Sequence, residues 1–411
     1  MRPALAAVLG TAALAAAVAA GSWRLSAAVP PLRAEVRLAA TALTVAGDPP
    51  APVTLPSGGS LVVEAAAGGA SPARLAAQGA EVVRPIGSVA KTMTALAVLT
   101  AHPLGAEEEG PVLTMTADDV ALFRDALAVD GSSLPVTAGQ RLSERRLLLG
   151  LMLPSANNLA ETLGRWVSGS HDAFVTRLNA LAATLGMAST HFDDPSGFSP
   201  RTVSTAADLV RLGRAALGVP ALARIVATTE APFDGGITLH NLDSLLTSVP
   251  GWLGVKTGET PSAGGCLLFA ARRSLGDAAE PVTVVGAVLG QPHLAEALSA
   301  ARSAVESGYA GYRAVRLADL DPAVQGRVAA PWGDGAALLL APGDGDTLAL
   351  RPGSSVDLVA VTFPLGDRLA AGDTVARLEA RSGTAVLARW RVMTAAPLGP
   401  PPVLWRLFEH R

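Results

Sequence analysis

The sequence predicts an α/β protein, with a large domain of mixed sheet and helices followed by a smaller all-β domain. Three observations lead there. From Gly87 to about Gly186 apolar residues recur at helical spacing. Beyond Ile237, "WLGVKTG", "GGCLLFAARR" and "PVTVVGAVLG" read as three successive strands, followed by the amphipathic helix "LAEALSAARSAVESGY". From Arg313 to about Ala396, short alternating runs are separated by Gly, Asp and Pro at regular intervals, the pattern of a sandwich or barrel.

Taken in order, the chain opens on "MRPALAAVLGTAALAAAVAAGSWRL", with no charge between Arg2 and Arg24. Residues 1–28 are expected to be a signal peptide cleaved near Ala17-Val18-Ala19, or an uncut membrane anchor. Residues 29–57, rich in Pro, Gly and Ala, are expected to be a linker. The large domain spans 58–312 and opens with a strand at "LVVEA". Ser143 caps an apolar helix that Pro154 ends, Phe174, Leu178, Ala182 and Leu185 form one helical stripe, and Thr205 with Asp208 suggests a capping box. The all-β domain runs over 313–396, and 397–411 is an apolar and basic tail expected to fold back onto the protein.

Composition narrows the function. The 411 residues are 50% hydrophobic and 16% charged, ample for a core, and the formal net charge of −3 gives nucleic acid no basic footprint. The one cysteine, Cys266, excludes an internal disulfide and reads as a small buried residue in a strand. The 6 His form neither HExxH nor a close pair, so no metal and no cofactor is implied. No Gly-rich phosphate loop precedes a lysine, and no GxSxG elbow is present.

Lysine usage carries more information. Of 32 Lys plus Arg, lysine occurs only at Lys91 and Lys256, in a chain whose Arg, Gly and Pro content resembles GC-rich codon bias. Bias would scatter the survivors, yet both fall in motifs. In "PIGSVAKTM" a loop runs into a helix, so Ser88 and Lys91 share a face three residues apart, with Ser88 near the unpaired N–H groups of the first turn. In "LMLPSANNLAETLG" a tight turn projects the Ser155 hydroxyl and the Asn157 amide. In "GWLGVKTGETP" Lys256 and Thr257 lie on a strand, and Gly258 allows close backbone approach. Each motif alone fits bland chemistry, a cap, a turn or a surface strand. Together they ask for what guanidinium cannot do, because arginine does not deprotonate. A free lysine is neutral in only about one molecule in 2,500 at pH 7, so burial and a second cation must lower Lys91.

The ordered set SVAK, SAN and KTG resembles the penicillin-binding protein and serine β-lactamase superfamily. More closely it is similar to the low-molecular-weight serine D-Ala-D-Ala carboxypeptidases, over about Gly58 to Tyr312. "THFDDPSGFSPRTVSTAADLVRL" and "HNLDSLL" match that family's habits. The resemblance implies a β-lactamase/transpeptidase-like domain, a sheet flanked by helices plus a helical subdomain. It implies removal of the terminal D-alanine from peptidoglycan stem peptides, acylation by β-lactams, and extracytoplasmic, membrane-associated action. Carried over, Ser88 is the nucleophile, Lys91 its base and Ser155 the proton relay. Asn157 would hold the substrate amide, and Lys256, Thr257 and Gly258 its carboxylate end. The backbone N–H groups of Ser88 and Glu259 would form the oxyanion hole; family members often carry His where this chain has Glu259. A β-lactamase would need a Glu-x-x-Leu-Asn loop, which is absent, Glu161 reading as a helix-surface residue. A penicillin-sensing or peptidoglycan-binding scaffold is the other alternative, for which a deprotonable Lys91 has no use.

Overall fold

The computed structural model describes residues 2–67, 70–276, 280–316, 324–341 and 347–409, with backbone alone for residues 2–8. Helix α1 (Arg2–Ser26) is followed by strands β1 (Arg33–Leu38) and β2 (Ala42–Thr44), then by β3 (Ser60–Ala67) and β4 (Ala73–Gln78). A helical stretch comes next: α2 (Lys91–Ala101), α3 (Ala117–Ala128), α4 (Glu144–Met152), α5 (Asn157–Ser168), α6 (His171–Thr184) and α7 (Ala206–Leu217). Strands β5 (Trp252–Thr260), β6 (Gly264–Arg273) and β7 (Val282–Gln291) precede helix α8 (Leu294–Ala310).

These strands form a five-stranded antiparallel sheet in the order β5-β6-β7-β3-β4. The early strand β3 therefore lies beside the late strand β7, and the sheet closes the domain across more than two hundred residues of sequence. The strands read as continuous apolar runs because both faces are covered. Leu61, Val63, Leu267, Phe269, Val284 and Val288 pack under α8 through Ala297, Ala301, Ala304 and Val305. On the opposite face Val62, Cys266, Leu268, Ala270, Val285 and Ala287 join the helices. Period-two alternation thus divides one sheet between two cores. Cys266 is fully buried, and burial pushes its thiol up to about 11. Helix α2 is buried from Lys91 through Leu99 and forms the axis of the second core.

Local signals place the helix starts. Ser143 accepts from the Arg146 N–H and Ser170 from the Ala173 N–H. Thr205 accepts from the Asp208 N–H at 3.1 Å, one half of the expected capping box. Asp208 turns instead to the Ser189 N–H and the Thr190 hydroxyl, tying the preceding loop to α7.

The C-terminal part holds β8 (Arg313–Arg316), β9 (Val324–Ala330), β10 (Gly333–Ala341), β11 (Thr347–Leu350), β12 (Ser355–Thr362), β13 (Thr374–Ser382) and β14 (Ala385–Thr394), then helix α9 (Val403–Phe408). Its main sheet has seven strands in the order β1-β9-β10-β14-β13-β12-β2. The expected linker at 29–57 is thus corrected, since two of its segments are the edge strands of this sheet. They are short, six and three residues, in a stretch rich in Pro, Gly and Ala, and their partners lie about 290 to 315 residues away, so composition masked them. The tail folds back: Trp405 meets Trp332 edge-on at 5.7 Å, Arg406 donates to the Ala27 carbonyl at 3.1 Å, and Arg24 donates to the Leu407 carbonyl. Among the described residues no helix is long and apolar enough to cross a membrane.

Candidate active site

Ser88 lies in a 3-10 turn, Gly87–Ala90, that runs straight into α2. It makes no capping bond, so its hydroxyl is free for another task. One helical turn on, Lys91 is fully buried, and its Nζ lies 2.8 Å from Ser88 Oγ, 2.6 Å from Asn157 Oδ1 and 2.9 Å from the Ser196 carbonyl. Burial pulls the Lys91 pKa well below the usual lysine value, the Lys256 charge lowers it further, and Asp194 opposes both.

The turn before α5 holds Ser155 at φ 67, a left-handed conformation that costs a non-glycine residue about 1 kcal/mol or more. Its hydroxyl is buried and bonded to nothing among the described residues. An unbonded buried hydroxyl on a strained turn is costly for folding alone and suits a group that awaits a substrate.

The third side is β5. Lys256 is 2% exposed, with Nζ 3.1 Å from the Thr257 carbonyl and 3.4 Å from its hydroxyl. Burial pushes Lys256 down to about 7, and the Asp243 carboxylate resists that shift. Glycine is needed at 258: a Cβ there would stand 2.9 Å from the Ile86 carbonyl and 3.0 Å from the Ser88 N. At Gly87, φ 53, a Cβ would lie 3.4 Å from the Glu259 N. The strand and the Ser88 turn therefore touch backbone to backbone, which brings the two expected oxyanion N–H groups to one place. The Glu259 carboxylate, half-exposed, faces His293 Nδ1 at 3.3 Å, so an imidazole adjoins this position from another element.

The structure thus brings Ser88, Lys91 and Asn157 into direct contact and sets Ser155, Lys256, Thr257, Gly258 and Glu259 on the adjoining turn and strand. The sequence reading matched this loop to the family but gave it no part in the site. Asp194 accepts from the Ser196 hydroxyl at 2.5 Å, the Thr202 hydroxyl at 2.5 Å and the Phe198 N–H at 3.0 Å, and so holds the Ser196 carbonyl against Lys91. Gly197, φ 78, has no room for a side chain, since a Cβ would lie 1.8 Å from the Gly87 carbonyl oxygen. Asp243, which accepts from Trp252 Nε1 at 2.8 Å, was missed as well. The signals were "DPSGF" and "HNLD". Glu161 pairs with His171 at 3.0 Å on α5.

A serine hydroxyl bonded to a buried lysine whose pKa is lowered is the chemistry of a serine acyl-transfer enzyme. The comparisons give the family. Residues 48–288 match the family model described as D-alanyl-D-alanine carboxypeptidase. A D-alanyl-D-alanine carboxypeptidase of Mycobacterium tuberculosis is 42% identical over 144 residues, 34% of this chain and 49% of that protein, so the match spans about half of that relative's length. One of Streptomyces sp. K15 is 31% identical over 247 residues, 56% of this chain and 81% of that protein. The crystal structure of the Streptomyces K15 DD-transpeptidase superposes with a TM-score of 0.55 at 29% identity, covering 63% of this chain and 100% of that one. The chain belongs to the D-alanyl-D-alanine carboxypeptidase family of serine peptidases.

Proposed function

We propose that this carboxypeptidase removes the terminal D-alanine from peptidoglycan stem peptides through an acyl-enzyme on Ser88, and that β-lactams acylate the same hydroxyl. One observation carries the reading. Neutral lysine has two N–H donors and one lone pair, and Lys91 has three partners. The Asn157 Oδ1 and Ser196 carbonyl oxygens can only accept. The lone pair must then face Ser88, whose hydroxyl alone has a proton to give.

The substrate's terminal carboxylate binds Lys256 and the Thr257 hydroxyl, and the amide donor of Asn157 supports the peptide. The scissile carbonyl oxygen lies between the Ser88 and Glu259 N–H groups, which stabilise its developing charge. Ser88 Oγ bonds to the carbonyl carbon as its proton passes to Lys91. The Ser155 hydroxyl relays that proton to the leaving nitrogen as the C–N bond breaks and D-alanine departs. Water then attacks the ester carbonyl as its proton passes to Lys91, and Lys91 returns that proton to Ser88 Oγ as the ester bond breaks, freeing the shortened stem.

The test is D-alanine release from a peptide ending in D-Ala-D-Ala, followed against pH for wild type and Lys256→Arg. Lys256 binds carboxylate only when protonated, so wild-type kcat/KM should fall as pH rises past about 7. The arginine variant should lose less than about tenfold at pH 7, because its charge persists, and should lack the alkaline fall. A parallel alkaline fall in both proteins would remove Lys256 from carboxylate binding. Penicillin labelling without any D-alanine release would make the protein a sensor.

Action on wall peptides makes the protein extracytoplasmic. We read α1 as the part that attaches it to the membrane, supported by exposed Leu9, Leu14 and Val18. Deleting residues 1–28 behind a cleavable signal should move the protein to the soluble fraction. Release only on deleting residues 400–411 would transfer that role to the tail.

A further inference from the structure

The outward face of the C-terminal sheet concentrates positive charge in a chain that is acidic overall. On β13, Arg377, Glu379 and Arg381 point to one side, and the register sets Arg389 of β14 opposite Glu379 and Arg391 opposite Arg377. Glu379 is 1% exposed, and its carboxylate serves as a hub, with Arg377 at 2.8 Å, Arg381 at 2.5 Å and Arg389 at 3.6 Å. The guanidiniums hold that carboxylate below its usual range, led by the Arg381 hydrogen bonds. Asp357, across from Arg381 on β12, is the other acid beside the cluster. Four guanidiniums therefore meet two carboxylates.

The arrangement does not minimise energy within the chain. Like charges directly opposite in an antiparallel pair are destabilising, and Arg377 faces Arg391 with Ala341 on its other flank. Arg389 and Arg391 are exposed. The excess continues towards the sheet edge: Arg327 is spoken for by Glu35 at 3.4 Å, while Arg33 and Arg37 flank Glu35 on the same side of β1. The buried Glu379 fixes Arg381 by two hydrogen bonds and gathers Arg377 and Arg389 at 2.8 Å and 3.6 Å, so positive charge is assembled before a ligand arrives, which lowers the ordering cost of binding a carboxylate.

We propose that this face holds the wall polymer itself, by binding the free carboxylates of its stem peptides. This rests on the carboxypeptidase reading, which brings that polymer to the protein. Carboxypeptidase turnover suits such a hold. Each hydrolysis releases one carboxylate with D-alanine and creates one on the shortened stem, so the polymer keeps its charge. A second, weak attachment on one chain raises the local concentration of stems at Ser88.

The experiment uses the full-length chain carrying Ser88→Ala, so that no acyl-enzyme forms, and cosedimentation with insoluble peptidoglycan stripped of attached polymers. Arg389→Gln/Arg391→Gln removes two exposed charges and leaves Arg377 and Arg381 to satisfy Glu379. Binding near 0.1 M salt should fall several-fold, Arg389→Lys/Arg391→Lys should restore much of it, and amidating the polymer's carboxylates should mimic the glutamine variant. In the catalytically intact background, the glutamine variant should keep its kcat/KM on a soluble peptide and lose activity on the insoluble polymer. Unchanged polymer binding in the glutamine variant overturns the inference, as does glutamine-sensitive binding to phosphatidylglycerol vesicles with none to the polymer. Failure to cleave the soluble peptide in the wild type would instead strike the carboxypeptidase reading.

Discussion

Ser88→Ala is expected to abolish both labelling by a fluorescent penicillin and release of D-alanine, a loss of about 10⁴-fold or more in kcat. Both reactions need the same covalent ester, and the other hydroxyls of the site are badly placed to replace it. Ser155 belongs to a different turn, and among the described residues its Oγ is bonded to no base. The alanine variant should keep its thermal midpoint, because Ser88 caps no helix and, among the described residues, its side chain hydrogen-bonds to Lys91 alone. Retention of a covalent penicillin adduct by Ser88→Ala would remove Ser88 from the chemistry.

Lys91→Arg should be nearly as inactive as Lys91→Ala, each losing roughly 10³-fold in the acylation rate. In the proposed mechanism Lys91 accepts a proton. Burial and the Lys256 charge bring its pKa down, whereas a guanidinium stays charged whatever surrounds it. Charge retention should therefore rescue nothing at this position, while the same change at Lys256 should be tolerated. Rapid-mixing measurement of penicillin acylation for the four proteins, wild type, Lys91→Arg, Lys91→Ala and Lys256→Arg, checks the division of roles. An arginine at 91 that kept more than about a tenth of the rate would show that proton acceptance lies elsewhere.

The site was legible where chemistry restricts the residue type. A deprotonable amine within reach of a hydroxyl admits few spellings, and two lysines in an arginine-rich chain exposed theirs. The Ser196 carbonyl escaped because any residue supplies a carbonyl; only the Asp194 side chain and the room made by Gly197 fix where it points. The Glu259–His293 pair escaped because 34 residues separate partners that meet only when β5 and the start of α8 come together. Strands β3, β5, β6 and β7 were plain as largely apolar runs, since both faces of the sheet are covered, whereas edge strand β4, with Ala73, Arg74 and Ala77 exposed, was not foreseen. Strands β1 and β2 were not, because they are only six and three residues long, turn just Ala34, Val36, Leu38 and Leu43 inward, and sit in a Pro- and Gly-rich segment whose partners lie far along the chain.

The most direct measurement of the account is rapid quenching of wild-type protein with a peptide ester ending in D-Ala-D-lactate, followed by peptide mass mapping. The account predicts a transient acyl mass on the peptide that contains Ser88, formed within the burst of D-lactate release and absent from Ser88→Ala. D-lactate release without any covalent species, or an acyl group on another residue, would contradict it.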